Sequence, residues 1–232
     1  MQRVYAIGDI HGSLRALCSL ITKCEREADG RPMRFVFIGD YIDRGTDSRG
    51  VIDYIMNLQS RLGANVICLM GNHEALALSA IDDELNTENW ILNGGDMTLL
   101  SYDASSAQEL PVEHVAWFRS LRLAFDDGLR LYVRAGVNPA RPLDQQDRHD
   151  LLWIREPFLS DRHDYGRLIV HGHTPTRTAM PDLRGNRLNI DTGVAYGGPL
   201  TAAVFVSEQT NPITFIQTTE KGGLNFPSIV ED

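Results

Sequence analysis

Cysteine is scarce in this sequence, at three residues of 232, and that excludes a small scaffold stapled by disulfides. Cys18 and Cys24 lie six apart on different faces of a predicted helix, and Cys68 sits in the apolar run "VICLM", so all three are read as reduced packing residues. Long apolar runs are missing too. None approaches the ~20 residues that span a bilayer, and the opening "MQRVYAIGDI" lacks the basic-then-apolar layout of a signal peptide. The expected location is the cytoplasm, with no membrane partner. Positive charge is in deficit: 22 Lys and Arg against 31 Asp and Glu leave a net charge of −9. A general binder of nucleic-acid polymers needs a basic surface to displace counterions, so that class is excluded, while a locally positive pocket is not. Repeats, low-complexity tracts and linkers are also lacking, which predicts a single domain over residues 1–232 with one well-buried core.

What is present is an α/β alternation. "RVYAI" (3–7), "RFVFI" (34–38) and "NVICL" (65–69) read as strands. Residues 13–28 read as a helix with Ser13 as N-cap and Leu14, Leu17 and Ile21 at helical spacing; a second helix carries Val51, Ile52, Ile55 and Leu62 on one stripe. Each of the three strands runs into a polar cluster: "GDIHG", "GDYIDRG" and "GNHE". Parallel strands would bring those clusters to one sheet edge, where α/β folds place their sites. Further on, "RLYVRAG" (130–136), "RLIVHGHT" (167–174), "RLNIDTG" (187–193), "TAAVFV" (201–206) and "PITFIQT" (212–218) are strands joined mostly by turns. They predict a second, largely antiparallel sheet packed on the first, with helices outside.

The clusters pool Asp9, His11, Asp40, Asp43, Arg44, Asn72 and His73, with His171 and His173 later in the chain. Carboxylates, imidazoles and an amide without thiolate suit Mn²⁺, Fe or Zn²⁺ rather than a structural zinc site. Two such ions sharing a carboxylate can ready a hydroxide and clamp a phosphate for in-line attack. Taken singly, Gly-Asp after a strand is commonly a turn and Asn-His a helix start; four motifs in order at strand ends are not explained that way. "DTG" (191–193) occurs once, whereas an aspartic protease needs two facing carboxylates, so it reads as a turn beside the site. His114, His149 and His163 read as solvated or capping. "NGGD" (93–96) after Trp90 either shapes the pocket floor or is a plain loop.

The order "GDIHG", "GDYIDRG", "GNHE", "HGHT" resembles the metallophosphoesterases, and within them the phosphoprotein phosphatases of the small bacterial and phage-lambda-like branch, from about residue 3 to about 206. "LLWIRE" (151–156) and "NIDTGVAYGGPLT" (189–201) are similar to that branch as well. The resemblance implies a calcineurin-like sandwich of two mixed β-sheets flanked by helices. It implies two divalent ions, Mn²⁺ foremost with Fe or Zn²⁺ as alternatives, held by Asp9, His11, Asp40, Asn72 and His173, with Asp40 bridging. It makes His73 the proton donor to the leaving oxygen, oriented by Asp43. Arg44 and Arg155 then grip phosphoryl oxygens. Water activated by the metals attacks phosphorus, with no covalent phosphoenzyme. The activity implied is that of a metal-dependent serine/threonine protein phosphatase acting on phosphoproteins or small phosphoesters; symmetrical bis(5'-nucleosyl)-tetraphosphatase is the alternative.

One position departs from the pattern. Relatives read His-Ala-Gly where this chain reads "VRAG" and offers Arg134. A guanidinium cannot ligate a cation. The adopted expectation is a weakened second site with water or His171 filling in. Losing even an outer-shell partner costs ~10–100-fold in metal affinity or activity, and a direct ligand more. Arg134 standing in for part of the second ion's charge, and a degenerate, low-activity phosphate-binding or regulatory member, are the other readings.

Overall fold

A computed structural model describes residues 1–218. The chain runs β1 (Arg3–Ile7), α1 (Leu14–Ala28), β2 (Met33–Phe37), α2 (Ser48–Leu62), β3 (Val66–Cys68), α3 (Asn72–Asp82), α4 (Thr87–Trp90), α5 (Asp96–Tyr102), α6 (Val112–Ser120), β4 (Ala124–Asp126), β5 (Arg130–Val133), α7 (Arg148–Trp153), β6 (Leu168–His171), β7 (Asp182–Leu183), β8 (Arg187–Asn189), β9 (Thr201–Val206) and β10 (Thr214–Gln217). These strands form two five-stranded sheets, ordered β10-β9-β1-β2-β3 and β4-β5-β6-β8-β7.

Both sheets are mixed. β1, β2 and β3 are parallel, while β9 lies antiparallel to β1 and carries β10 on its far side. The second sheet differs from the largely antiparallel expectation: β5, β6 and β8 are mutually parallel, and only the edge strands β4 and β7 run the other way. The two strands β9 and β10 belong to the first sheet. Packing explains the reassignment. In β9, Ala202 and Val204 face the helical core with Leu17 and Leu20 of α1, whereas Ala203 and Phe205 face the layer between the sheets. A strand apolar on both faces fits between two covered neighbours, and β9 takes that place beside β1.

The same alternation builds the layers. Tyr5, Ile7, Phe35 and Phe37 pack toward the helices; Val4, Ala6, Val36 and Ile38 pack against Tyr132, Val170 and Leu188 of the second sheet. Leu131, Val133 and Ile169 cover the outer face with Leu151, Ile154 and Phe158. α1 buries Leu17, Leu20, Ile21 and Cys24 at helical spacing. Ser13 stands at its N-cap without capping it, because its hydroxyl donates to the His11 carbonyl instead. α2 is capped by Asp47, whose carboxylate accepts from the Gly50 N–H at 2.9 Å. Cys18, Cys24 and Cys68 are free thiols, and among the described residues no helix is long and apolar enough to cross a membrane.

Candidate metal centre

Parallel strands point their C-terminal ends one way, and the chemistry-bearing residues sit just past those ends. Asp9 and His11 follow β1, Asp40 to Arg44 follow β2, Asn72 and His73 open α3 after β3, Arg134 follows β5, His173 follows β6 and Asp191 follows β8. The turns are tight enough to force non-glycine residues into left-handed backbone: φ is 46° at His11, 55° at Asp40, 72° at Asp43, 66° at Arg44 and 70° at His173. Such conformations cost of order 1–3 kcal/mol each and persist where the surroundings over-determine them, commonly at functional sites. Here they turn side chains from separate loops onto one centre. Gly71 makes room for it, since a Cβ there would lie 2.2 Å from the Asp40 backbone nitrogen and carboxylate.

One ligand atom from each of His11, Asp40 and His73 lies within 4.8 Å of the others, all three residues buried. The His11 Nδ1 faces the Ile42 carbonyl at 3.0 Å; a carbonyl only accepts, so Nδ1 carries the proton. Burial, then the neighbouring His73, pulls the His11 pKa well below its ordinary value, and the neutral ring turns a lone pair on Nε2 toward the Asp40 Oδ2, 3.4 Å away. Two electron-rich atoms so placed call for a cation between them, and the Arg44 Nη1 already stands 3.1 Å from that nitrogen. For Asp40, burial alone would raise the pKa, but the Arg134 guanidinium, then His73 and His11, hold the carboxyl well below the usual range.

His73 has a different setting. Its Nδ1 bonds the Asp43 Oδ2 at 2.7 Å, leaving Nε2 at 3.7 Å from the Asp40 Oδ2. Burial works against the imidazolium, yet the Asp40 charge and the Asp43 hydrogen bond outweigh it and raise the pKa. Asp43 is itself clamped: the Trp90 Nε1 donates to both its oxygens at 3.1 and 3.0 Å, and the Thr98 hydroxyl donates to Oδ1 at 2.7 Å. An oriented, proton-retaining imidazole is what a general acid requires.

Arg134 lies at the centre, 1% exposed. Its Nη1 pairs with the Asp9 Oδ1 at 2.7 Å, its Nη2 with the Asp40 Oδ2, and its Nε donates to the Asn72 Oδ1 at 3.0 Å. The His173 Nδ1 meets the same Asn72 oxygen at 3.1 Å, and its Nε2 is buried with no hydrogen-bond partner. Burial, then Arg134, lowers the His173 pKa to about 3. Asp191 is buried against Asp9; burial and the Asp9 charge raise its carboxyl well above the usual range, and the two share a hydrogen bond. The donor set therefore fits one divalent ion at His11 and Asp40, with His73 within 4.8 Å of both and Asp9 joined to Asp40 through the Arg134 guanidinium. It does not fit a second at Asp40, Asn72 and His173, where the guanidinium stands.

Several expectations need correction. An extended backbone would aim His171 and His173 the same way, but the positive φ at His173 turns the chain. His171 bonds the Gly172 carbonyl at 3.1 Å and Arg187 at 3.5 Å, and it packs edge-on to Phe158, away from the ligand cluster; nothing places it as a substitute ligand. His114 is buried, bonded to the Tyr102 hydroxyl at 2.8 Å and paired with Asp53 at 3.1 Å, rather than solvated; His149 and His163 are exposed. Arg155 is exposed and its charge reaches His173. "NGGD" shapes the pocket: the Gly94 carbonyl accepts the Arg44 N–H at 3.0 Å, with φ 101° at Gly94.

Sequence reading missed Glu74, Trp90, Thr98 and the carboxylate role of Asp191. Glu74 is wholly buried, its oxygens accepting backbone N–H groups of Asp40 (3.0 Å), Tyr41 (2.8 Å) and Gly71 (2.9 Å). Burial, with the Asp40 charge, pushes its carboxyl up to about 7. The signal for Asp191 was available: it too follows a strand whose C-terminal end meets the site.

Against known proteins, residues 2–203 match the calcineurin-like phosphoesterase family. "Serine/threonine-protein phosphatase 1" of Salmonella typhimurium is 29% identical over 208 residues, 87% of this chain and 91% of that protein. "Bis(5'-nucleosyl)-tetraphosphatase, symmetrical" of Pseudomonas syringae is 28% identical over 194 residues, 82% of this chain and 60% of that protein. A solved protein serine/threonine phosphatase from Saccharomyces cerevisiae with similarity to human phosphatase PP5 shares the fold at a TM-score of 0.63, covering 98% of this chain and 82% of that one at 18% identity. With the family match running over nearly all of the sheet framework and both sheets mixed as that fold requires, this chain belongs to the calcineurin-like metallophosphoesterases.

Proposed function

We propose that the chain hydrolyses phosphomonoesters in the manner of a serine/threonine protein phosphatase. The observation carrying this reading is the Asp43–His73 pair, 2.7 Å apart and buried, set beside His11 and Asp40, with Asp9 as the further ligand the family resemblance implies. A divalent ion held there, with Mn²⁺ the first choice and Fe or Zn²⁺ alternatives, supplies Lewis acidity and a lowered pKa for water. The chain's own residues do the rest. Arg44, half-buried beside His11, and Arg155 fork onto phosphoryl oxygens and balance charge that grows toward the transition state. His73 delivers a proton from Nε2 to the departing oxygen while Asp43, fixed by Trp90 and Thr98, holds its Nδ1. The layer of side chains shared by the sheets supports one domain, and the three free thiols suit a reducing compartment such as the cytoplasm.

General-acid help matters most when the leaving oxygen is basic. His73→Gln is expected to cut turnover of a phosphoserine peptide by ~10²–10⁴-fold, and turnover of a nitrophenyl phosphate, whose leaving group departs unaided, far less. Equal losses on the two substrates would remove His73 from the acid's role.

A second reading, symmetrical cleavage of dinucleoside tetraphosphates, is favoured by two rings at the site. Tyr196, 60% exposed, lies under the Arg44 guanidinium at 5.5 Å, and Trp153 stands 6.0 Å from His173. Both offer faces on which bases stack. Product analysis with the dinucleotide beside the phosphopeptide separates the readings, and loss of activity on the dinucleotide alone in Tyr196→Ala would favour the second. Failure of a divalent ion to support hydrolysis of any of these substrates, as phosphate from the phosphoesters or nucleoside diphosphate from the dinucleotide, would favour a degenerate, phosphate-binding member instead.

A further inference from the structure

Three nitrogens of one side chain reach the oxygens that a second ion would need. The Arg134 guanidinium, 1% exposed, meets Asp9 through Nη1 at 2.7 Å, Asp40 through Nη2 and Asn72 through Nε at 3.0 Å. The Asn72 Oδ1 has two lone pairs, and both are engaged, one by Arg134 and one by the His173 Nδ1 at 3.1 Å. That leaves a second ion only the His173 Nε2 lone pair and the Asp40 carboxylate, which Arg134 already engages through Nη2, too few donors beside a fixed positive charge. The surrounding backbone is shaped to the pair: a Cβ on Gly172 would lie 2.2 Å from the Asp9 Oδ1 and 3.1 Å from the Arg134 Nη1. Expelling the side chain would leave two buried carboxylates without their partner and bring a permanent charge out through a packed sheet end.

From this we infer that Arg134 is a built-in cation in the place of the second metal, so that the chain takes one divalent ion, held by Asp9, His11 and Asp40, where two would be expected. The charge balance supports it. Asp9 and Asp40 contribute two negative charges, Arg134 one positive and a single divalent ion two, leaving the centre net positive toward a phosphate dianion. The guanidinium has no coordination position to offer water; Arg134 supplies charge and pins Asp9, Asp40 and Asn72. The inference rests on the metal reading of this site.

Mn²⁺ is the probe. Full-length native chain equilibrated with Mn²⁺ and freed of excess is expected to retain one ion per chain, with the electron paramagnetic resonance spectrum of an isolated ion. Two ions per chain with an exchange-coupled spectrum overturns the inference; no retained ion overturns the metal reading beneath it. Arg134→His, which clears the guanidinium and restores a ligand, is expected to retain two coupled ions, with affinity for the second raised ~10-fold or more, and to show a larger Mn²⁺-induced rise in melting temperature than the native chain. One ion in a folded Arg134→His variant overturns the claim that Arg134 blocks the second position. If that variant does not fold, the native stoichiometry and spectrum decide the question alone.

Discussion

Glu74→Ala is expected to destabilise the protein by several kcal/mol, although Glu74 is not among the proposed ligands. Its Oε2 accepts from Asp40 N at 3.0 Å and Gly71 N at 2.9 Å, and its Oε1 from Tyr41 N at 2.8 Å and Ile42 N at 3.3 Å. All but Gly71, which precedes α3, belong to the loop that carries Asp40 in left-handed backbone, φ 55°. A buried donor left unmade costs ~1–3 kcal/mol, so the three shorter bonds alone set a floor of about 3 kcal/mol, even if water enters the vacated space. In a chain of this length that lowers the melting temperature by roughly 6–12 °C. Glu74→Gln keeps one acceptor oxygen but turns an amide N–H₂ toward two of the donors, so about 2 kcal/mol or more is still lost. Urea unfolding and thermal melts followed by circular dichroism give both values. Melting within about 2 °C of native for both variants would refute the reasoning, because it would mean the loop holds itself without the carboxylate.

Other outcomes follow from the same geometry. Asp43→Asn removes a hydrogen bond and a charge that raise the His73 pKa; an acid must be protonated to act, so the alkaline limb of the rate profile should move to lower pH and kcat should fall ~10²-fold or more, while an unchanged profile would sever the two residues. His171 is fully buried and its pKa is lowered to about 3, by burial and then by Arg187. Its folded value lies below the unfolded one near 6.5, so stability is intact above pH 6.5 and is lost as pH falls from there toward 3, by roughly 2 kcal/mol between pH 7 and 5; in His171→Gln the urea-derived curve should be flatter over that range, and parallel curves would contradict this. Gly94→Ala adds a Cβ 2.8 Å from the Arg44 Cγ at a φ of 101°, and should raise KM for phosphoesters several-fold through a displaced Arg44; an unaltered KM would remove Arg44 from substrate binding.

Much of the frame was legible because local pattern and tertiary role agree. β-branched strands ending in Gly-Asp or Gly-Asn turns announce parallel strands with a shared working edge, and Asp9, His11, Asp40, Asn72 and His173 do gather there. The partition of the later strands was not legible. Nothing in "TAAVFV" says whether it pairs with β1 or with β8, since both choices bury it, and the pairing with β1 is fixed only by packing against α1. The short edge strands β4 and β7, three and two residues long, fall below any periodicity. Trp90, Thr98 and Glu74 were invisible for another reason: their partners lie 47, 55 and 34 residues away, and a lone Trp, Thr or Glu in a helix has many uses. His173 shows the limit of spacing arguments. Two histidines separated by a glycine share a face only while the backbone stays extended, and one left-handed residue sends them apart.

The central claim is that Asp40, drawn between His11, His73 and Arg134, anchors a cation the reaction depends on. Phosphate release from an aryl phosphate, measured with bound Mn²⁺ quantified on the same samples of native protein and Asp40→Asn, tests it most directly. The account predicts release only in the presence of the ion, and loss of both bound Mn²⁺ and turnover by at least about 10²-fold in the variant. Native metal content and native turnover in a folded Asp40→Asn protein would contradict it.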